Sequence, residues 1–137
     1  MNRLQWIKCG ITNGYNPNTI NTNAFITTWN MTATTTTLTS QNASANNCTV
    51  NWGDGTVTNY SGVNPSHTYT TAGQYTIIIT GQYTGFRNLG ANASKLISVN
   101  QWGNVGFTSF SYFFNDCSNL ISLPDGIITG ANNITDL

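Results

Sequence analysis

Cys48-Thr49-Val50-Asn51-Trp52-Gly53-Asp54-Gly55-Thr56-Val57-Thr58-Asn59-Tyr60 decides the fold. Its first five residues alternate apolar and polar, the period-two pattern of a half-buried strand, with Cys48, Val50 and Trp52 on one face. Gly53-Asp54-Gly55 then halts the strand. Glycine reaches positive φ without steric cost, and a short aspartate side chain accepts hydrogen bonds from nearby backbone N–H groups. Thr56 to Tyr60 runs back, so the stretch predicts a hairpin.

Working outward, the same grammar repeats. Upstream, Phe25-Ile26-Thr27-Thr28-Trp29 reads as a strand, and Thr34 to Thr39 is a β-branched run that breaks at Ser40 to Asn47. Downstream, Asn64-Pro65-Ser66 breaks the chain, His67-Thr68-Tyr69 starts a segment closed by Thr71-Ala72-Gly73, and Gln74 to Thr80 forms the strongest strand. There Tyr75, Ile77 and Ile79 share one face and Ile78 takes the other. Short strands with turn signals about every ten residues predict an all-β sandwich, and no 3.6-residue periodicity stands out before residue 107. Val50, Trp52, Tyr75, Ile77 and Ile79 are the expected core.

The chain has 137 residues, enough for one domain with a real core plus appendages. Only 6% of residues are charged, the net charge is zero, and the four acids are Asp54, Asp116, Asp125 and Asp136. Electrostatic steering toward nucleic acid is therefore excluded, and no apolar run approaches the roughly 18 residues that span a bilayer. Asn, Thr, Ser and Gly hydrate the surface in place of charge. Met1 to Gly14 lacks the apolar stretch of a secretory signal, so the expectation is a mature start or a route to the exterior that bypasses secretion. Cys9, Cys48 and Cys117 match no metal-ligand spacing and are read as buried thiols, with one disulfide among them as the alternative.

Trp52-Gly53-Asp54-Gly55, His67-Thr68-Tyr69 and Gly73-Gln74-Tyr75-Thr76-Ile77 occur in the order of the WGDG, HxY and GxYxVxV landmarks and resemble those of polycystic-kidney-disease (PKD) type domains. The resemblance implies a seven-stranded immunoglobulin-like sandwich used for adhesion or spacing. It also implies that Trp52 is a core anchor and that Tyr69 and Tyr75 pack at the sheet corner. Further on, Phe113, Cys117, Leu120 and Leu123 are similar to the FxxCxxLxxLP unit of BspA-like leucine-rich repeats. Ile134 to Leu137 can be laid over Phe107 to Phe110, a spacing of 27 residues, and the array is expected to continue past Leu137. The organisation expected is an arm over 1–23 that contacts another chain, a sandwich over 24–94, and a repeat-like segment over 95–137. A short helix is expected around Ser109 to Asn115, where Phe110, Phe113 and Phe114 fall at i, i+3 and i+4.

Candidate sites are weighed against plain structural roles. Asp54 is the best placed metal ligand, but calcium takes six to eight oxygens and the acids are scattered, so a turn-forming role is favoured. His67 has no evident nucleophile beside it and is read as an ordinary hydrogen-bonding residue. Tyr15, Tyr60, Tyr83, Phe86 and Tyr112 are candidates to stack on sugars or a partner if exposed. Sequons at Asn30, Asn42, Asn47, Asn59, Asn92 and Asn133 are read as products of composition. Neither catalytic residues nor a cofactor are expected. The function expected first is that of a virion protein: a phage fibre, spike or capsid decoration. The alternatives are a fragment of a cell-surface adhesin or a carbohydrate-binding accessory module of a secreted hydrolase. Expected partners are other virion or surface subunits in an oligomeric assembly, and host-surface glycans or proteins.

Overall fold

The structure is a computed structural model that describes residues 22–85, 87 and 90–125. Its strands are β1 (Phe25–Met31), β2 (Thr35–Thr37), β3 (Asn47–Asn51), β4 (Val57–Ser61), β5 (Ser66–Thr68), β6 (Gly73–Gln82) and β7 (Leu96–Gln101), with short 3-10 turns at Ala43–Ala45 and Gly90–Lys95. A five-stranded sheet has the order β4-β3-β6-β1-β7, and β2 and β5 form a second, two-stranded sheet. All of these ladders are antiparallel. The chain is thus all-β, with antiparallel sheets arranged as a sandwich.

Alternation sets the inner face. On β1, Phe25, Thr27, Trp29 and Met31 are buried, and they lie opposite Ile79, Ile77, Tyr75 and Gly73 of β6. Val50 of β3 faces Ile79 from the other side. Trp52, Val50, Ile77 and Ile79 are fully buried, while Tyr75 is half-buried and packs against them. Across this face lies the small sheet, where Thr36 is buried and its hydroxyl donates to Met31 Sδ at 3.4 Å. Outward, hydroxyls pair across the strands: Thr35 with Thr68 at 2.7 Å and Thr37 with Ser66 at 3.1 Å.

β7 changes the expected organisation. Six of the strands fall within 24–94, and the seventh comes from the segment assigned to the repeat. Leu96 sits opposite Trp29 and Val99 opposite Thr27, although residues three apart face opposite ways in a regular strand. Register shifts on β7 turn both inward. Beyond β7, Trp102, Val105, Phe107 and Phe113 are buried in the same cluster as Phe25. The Phe25 ring meets Phe107 edge-on at 5.1 Å and Phe113 at 6.0 Å. One core therefore runs across the boundary drawn at residue 95.

The helix expected at Ser109 to Asn115 does not form. Residues 111–116 are successive turns, closed by Phe113 N–H to Phe110 C=O (3.0 Å) and Cys117 N–H to Phe114 C=O (3.2 Å). Tyr112 and Asp116 stand at φ of 60° and 58°, which a right-handed helix cannot contain. The aromatic spacing is real, but it serves turns that fold the rings inward.

Residues 23 and 24, near the end of the arm, dock on the turn after β7. Asn104 N–H donates to Asn23 C=O at 2.9 Å, Gln101 Nε2 donates to Ala24 C=O at 2.7 Å, and Ala24 is buried. Gly103 makes this approach possible. Its φ is 65°, and a Cβ there would run into the Ala24 carbonyl. Gly103→Ala is expected to cost about 1–3 kcal/mol from the backbone conformation alone, with the clash adding to it. A thermal melt checks this, and an unchanged midpoint would contradict the close approach.

The register also places the chain ends. At one end of the sheet Phe25 pairs with Ile79, Asn47 with Ser61 and Gln82, and Gln101 with Ile26. At the other, Met31 pairs with Gly73 and Asn51 with Val57. Thr22 and Asp125, the first and last described residues, line one cleft of about 250 Å³ together with Trp102 and Gly103. The described chain enters and leaves at the same end.

Candidate functional site

At the opposite end, β3 turns into β4 through the Trp-Gly-Asp-Gly stretch. Trp52 N–H donates to Thr56 C=O at 3.0 Å and closes the turn. Inside it, Thr56 N–H donates to Asp54 Oδ1 and Gly53 N–H to Asn51 Oδ1, both at 3.0 Å. Gly53 has φ 81°, and a Cβ there would lie 2.5 Å from the Thr76 carbonyl oxygen. Only glycine fits. The hairpin expected from the sequence is present with these chemical causes.

Into this turn reaches His67 of β5, from the other sheet. Its Nε2 lies 2.6 Å from Asp54 Oδ2, and its ring stacks on Trp52 with centroids 5.0 Å apart. Tyr69 stands edge-on to His67 at 4.7 Å and donates its phenolic hydrogen to the Trp52 carbonyl at 2.8 Å. Tyr75 stacks on Tyr69 at 4.3 Å and donates to Thr71 C=O at 2.8 Å, beside Gly73. Tyr60 closes the far side of Trp52 edge-on at 6.2 Å. Trp52, Gly53, Asp54, Gly55, His67, Tyr69, Gly73 and Tyr75, spread over the sequence, thus meet in one clasp that joins the two sheets.

The electrostatics follow from burial and hydrogen bonding. Desolvation alone would raise the Asp54 pKa, but the hydrogen bonds from His67 and Thr56 outweigh it and hold the carboxyl below its ordinary value. Burial, followed by the negative charges of Asp54 and Tyr75, pushes the Tyr69 phenol well above its usual range. A carboxylate whose pKa is lower folded than unfolded stabilises the fold above its unfolded pKa, and that contribution is lost as pH falls through the folded value. Stability is therefore expected to drop on acidification below about pH 4, near the ordinary carboxylate pKa, with a smaller drop for Asp54→Asn. Melting temperatures of both proteins between pH 2 and 6 check this, and parallel curves would contradict it.

Chemically, the clasp is a set of hydrogen bonds and ring contacts between the β3–β4 turn and the small sheet. Among the described residues no hydroxyl or thiol is hydrogen-bonded to the His67 ring. No three His, Cys, Asp or Glu side chains gather there as a metal set among the described residues. Phe113, Cys117 and Leu120 come together at the core, but Leu123 is 47% exposed and stands apart.

The aromatic candidates divide. Tyr83 is fully buried, with its hydroxyl donating to Thr39 C=O at 3.2 Å, so it presents no face to a ligand. Tyr60 is half-buried and donates to Ser66 C=O at 2.6 Å. Tyr112 is exposed, with the Arg87 guanidinium 5.0 Å from its ring centre. Tyr15 and Phe86, like Cys9 and Asn133, lie outside the described residues. Cys48 is a buried free thiol whose pKa burial raises, and Cys117 is a half-buried thiol.

Sequence reasoning missed Asn46. It is buried, and its Nδ2 donates to Ser40 Oγ at 2.9 Å and to Val63 C=O at 3.0 Å, fastening two loops. In a run of asparagines nothing marks it out.

A family model described as PKD domain matches residues 16–88, more than half of the chain. The match begins inside the arm and ends before β7. No curated protein and no solved structure matches the chain.

Proposed function

The chain belongs to the PKD domain family, and from that premise we propose that it is a structural and adhesion module of a virion surface, a fibre, spike or capsid decoration. PKD domains are non-catalytic structural modules, generally of extracellular, surface-displayed proteins. No helix among the described residues is long and apolar enough to cross a membrane. The observation that carries the proposal is the placement of Thr22 and Asp125 at one cleft, with the hairpin clasp at the far end of the sheet. A module held at one end presents its opposite tip outward, as a decoration does. The low charge and the hydroxyl-paired outer face of β2 and β5 suit packing among like subunits, and residues 1–21 are assigned to contact with the particle.

Residues 95–137 are kept in the proposal as the opening of a repeat segment, which lies beyond the family match. Its support is a single parallel bridge beside β7, between Ser98 and Ser122. Immunogold labelling with antibodies to the sandwich tests the whole reading. Label on intact, unpermeabilised particles is the expected result; label confined to cell envelopes, with none on particles, would overturn the virion assignment.

A further inference from the structure

The two edges of the five-stranded sheet differ. At β7, residues 120–123 lie alongside: Val99 N–H donates to Ser122 C=O at 3.0 Å and Ile121 N–H to Ile97 C=O at 2.9 Å. The further repeat expected at residues 134–137 lies outside the described residues. At the opposite edge stands β4, Val57-Thr58-Asn59-Tyr60-Ser61, which pairs with β3 alone. Natural sheets blunt such an edge with charge, proline, a bulge or a covering element. β4 contains no charged residue and no proline, and its ladder with β3 runs without a register shift.

Hydrogen bonds beyond both ends of that ladder fix which backbone groups are spare. Trp52 N–H donates to Thr56 C=O at 3.0 Å and Gly62 N–H to Asn46 C=O at 2.8 Å, so Thr58 and Tyr60 are the residues of β4 bonded to β3. The N–H and C=O groups of Val57, Asn59 and Ser61 therefore point away from the sheet. Among the described residues none of them has a hydrogen-bond partner. The pattern is symmetric about Asn59. Two copies laid edge to edge and antiparallel, with a two-fold axis at residue 59, set Asn59 against Asn59 and Val57 against Ser61 in both directions. Every outward N–H then meets a C=O.

The side chains agree with that register. Val57 is 59% exposed and Val63 52%, and antiparallel pairing carries Val57 of each copy to the end where Val63 of the other follows Ser61. Asn59 lies on the exposed face, and its Oδ1 accepts from Thr49 Oγ1 at 2.7 Å, which leaves its amide N–H groups for its twin. Tyr60 is tied back by its bond to the Ser66 C=O at 2.6 Å. A net charge of zero sets no long-range repulsion between copies.

We propose that β4 is a self-association edge: two copies of this chain pair antiparallel through Val57, Asn59 and Ser61 and join their large sheets into one. Recognition is by backbone pairing, the chemistry of strand addition. A strand of 5 residues buries less than the roughly 1,000 Å² that a standing interface clears. The pair is therefore weak in dilute solution and forms where copies are held side by side at high effective concentration. The inference stands on the edge alone, whichever surface carries the module.

The test follows the full chain from about 10 μM to about 1 mM, the range in which weak complexes form. Sedimentation should show monomer passing to dimer, and exchange of the Val57, Asn59 and Ser61 amides should slow by about fivefold or more. Thr58 and Tyr60, already bonded to β3, should exchange at one slow rate throughout. Asn59→Lys and Asn59→Asp each set like charges across the axis and should stay monomeric with unchanged melting temperatures; mixed one to one, they should pair again. A chain that remains monomeric at the highest concentration, with those three amides exchanging freely, would overturn the proposal. So would a mixture of the two charge variants that fails to pair, or a dimer that survives either variant alone, since the contact would then lie elsewhere. A dilute monomer whose three amides are already protected counts against it equally, because the chain then covers its own edge.

Discussion

Trp52→Ala is expected to lower the unfolding free energy by about 3–5 kcal/mol, the range for truncating a large core aromatic. Trp52 is fully buried, and its ring is the common surface for His67, Tyr60 and Tyr69. Its loss empties the junction between the sheets. The Tyr69 hydroxyl keeps its acceptor, because that bond goes to the residue 52 carbonyl and not to the side chain. The damage is one of volume, and a second variant tests that. Trp52 Nε1 has no hydrogen-bond partner among the described residues, so Trp52→Phe forfeits no bond and should cost clearly less. Urea denaturation of both variants checks the order. A loss below about 1 kcal/mol for the alanine variant would mean that the clasp does not anchor the sandwich.

Phe113→Ala is expected to cost a similar amount, about 3–5 kcal/mol, and to shift one cooperative transition for the whole chain. Phe113 is buried against Phe25 of β1 as well as Phe107, Phe110 and Phe114. A cavity there weakens β1, an interior strand of the five-stranded sheet, from a position 88 residues downstream of Phe25 (113 − 25 = 88). Were residues 95–123 an independent unit, the same substitution would melt that unit alone and leave a second transition where it was. Hydrogen exchange separates the two outcomes. Amides of β1 and β6 should lose protection together with those of β7.

The strands legible in the sequence are those whose burial alternates along one surface. β3 and β6 carry their own period-two signal, and the Gly53-Asp54-Gly55 turn contains the chemistry that closes it. The clasp is legible as spacing only. That His67 reaches Asp54 across the sheets and lies on Trp52 depends on how the small sheet crosses the large one, which no local pattern encodes. β7 escapes a local reading because Leu96-Ile97-Ser98-Val99 looks the same whether its neighbour is β1 or another repeat. Tertiary pairing with Trp29 and Thr27 decides it. The helix at Ser109 to Asn115 fails for a different reason. The i, i+3, i+4 pattern fixes which rings meet but not the backbone path, and positive φ at Tyr112 and Asp116 supplies another path to the same cluster. Tyr83 reads as an available ring because a position next to turn glycines carries no sign of what folds over it.

The pairing of Ile26 with Gln101 has a mechanical consequence. Since β1 begins where β7 ends, tension applied between residue 22 and residue 101 falls on the outermost rung of the β1–β7 ladder. The rungs then give way in succession like a zipper, instead of resisting together in shear. Force applied between residue 22 and residue 101 should open the β1–β7 ladder at low load, whereas force applied between residue 22 and the Gly53–Gly55 tip must drag strands past one another and should meet far greater resistance. Under flow or traction on its outer tip, such a module holds firm; pulled apart at its base, it yields.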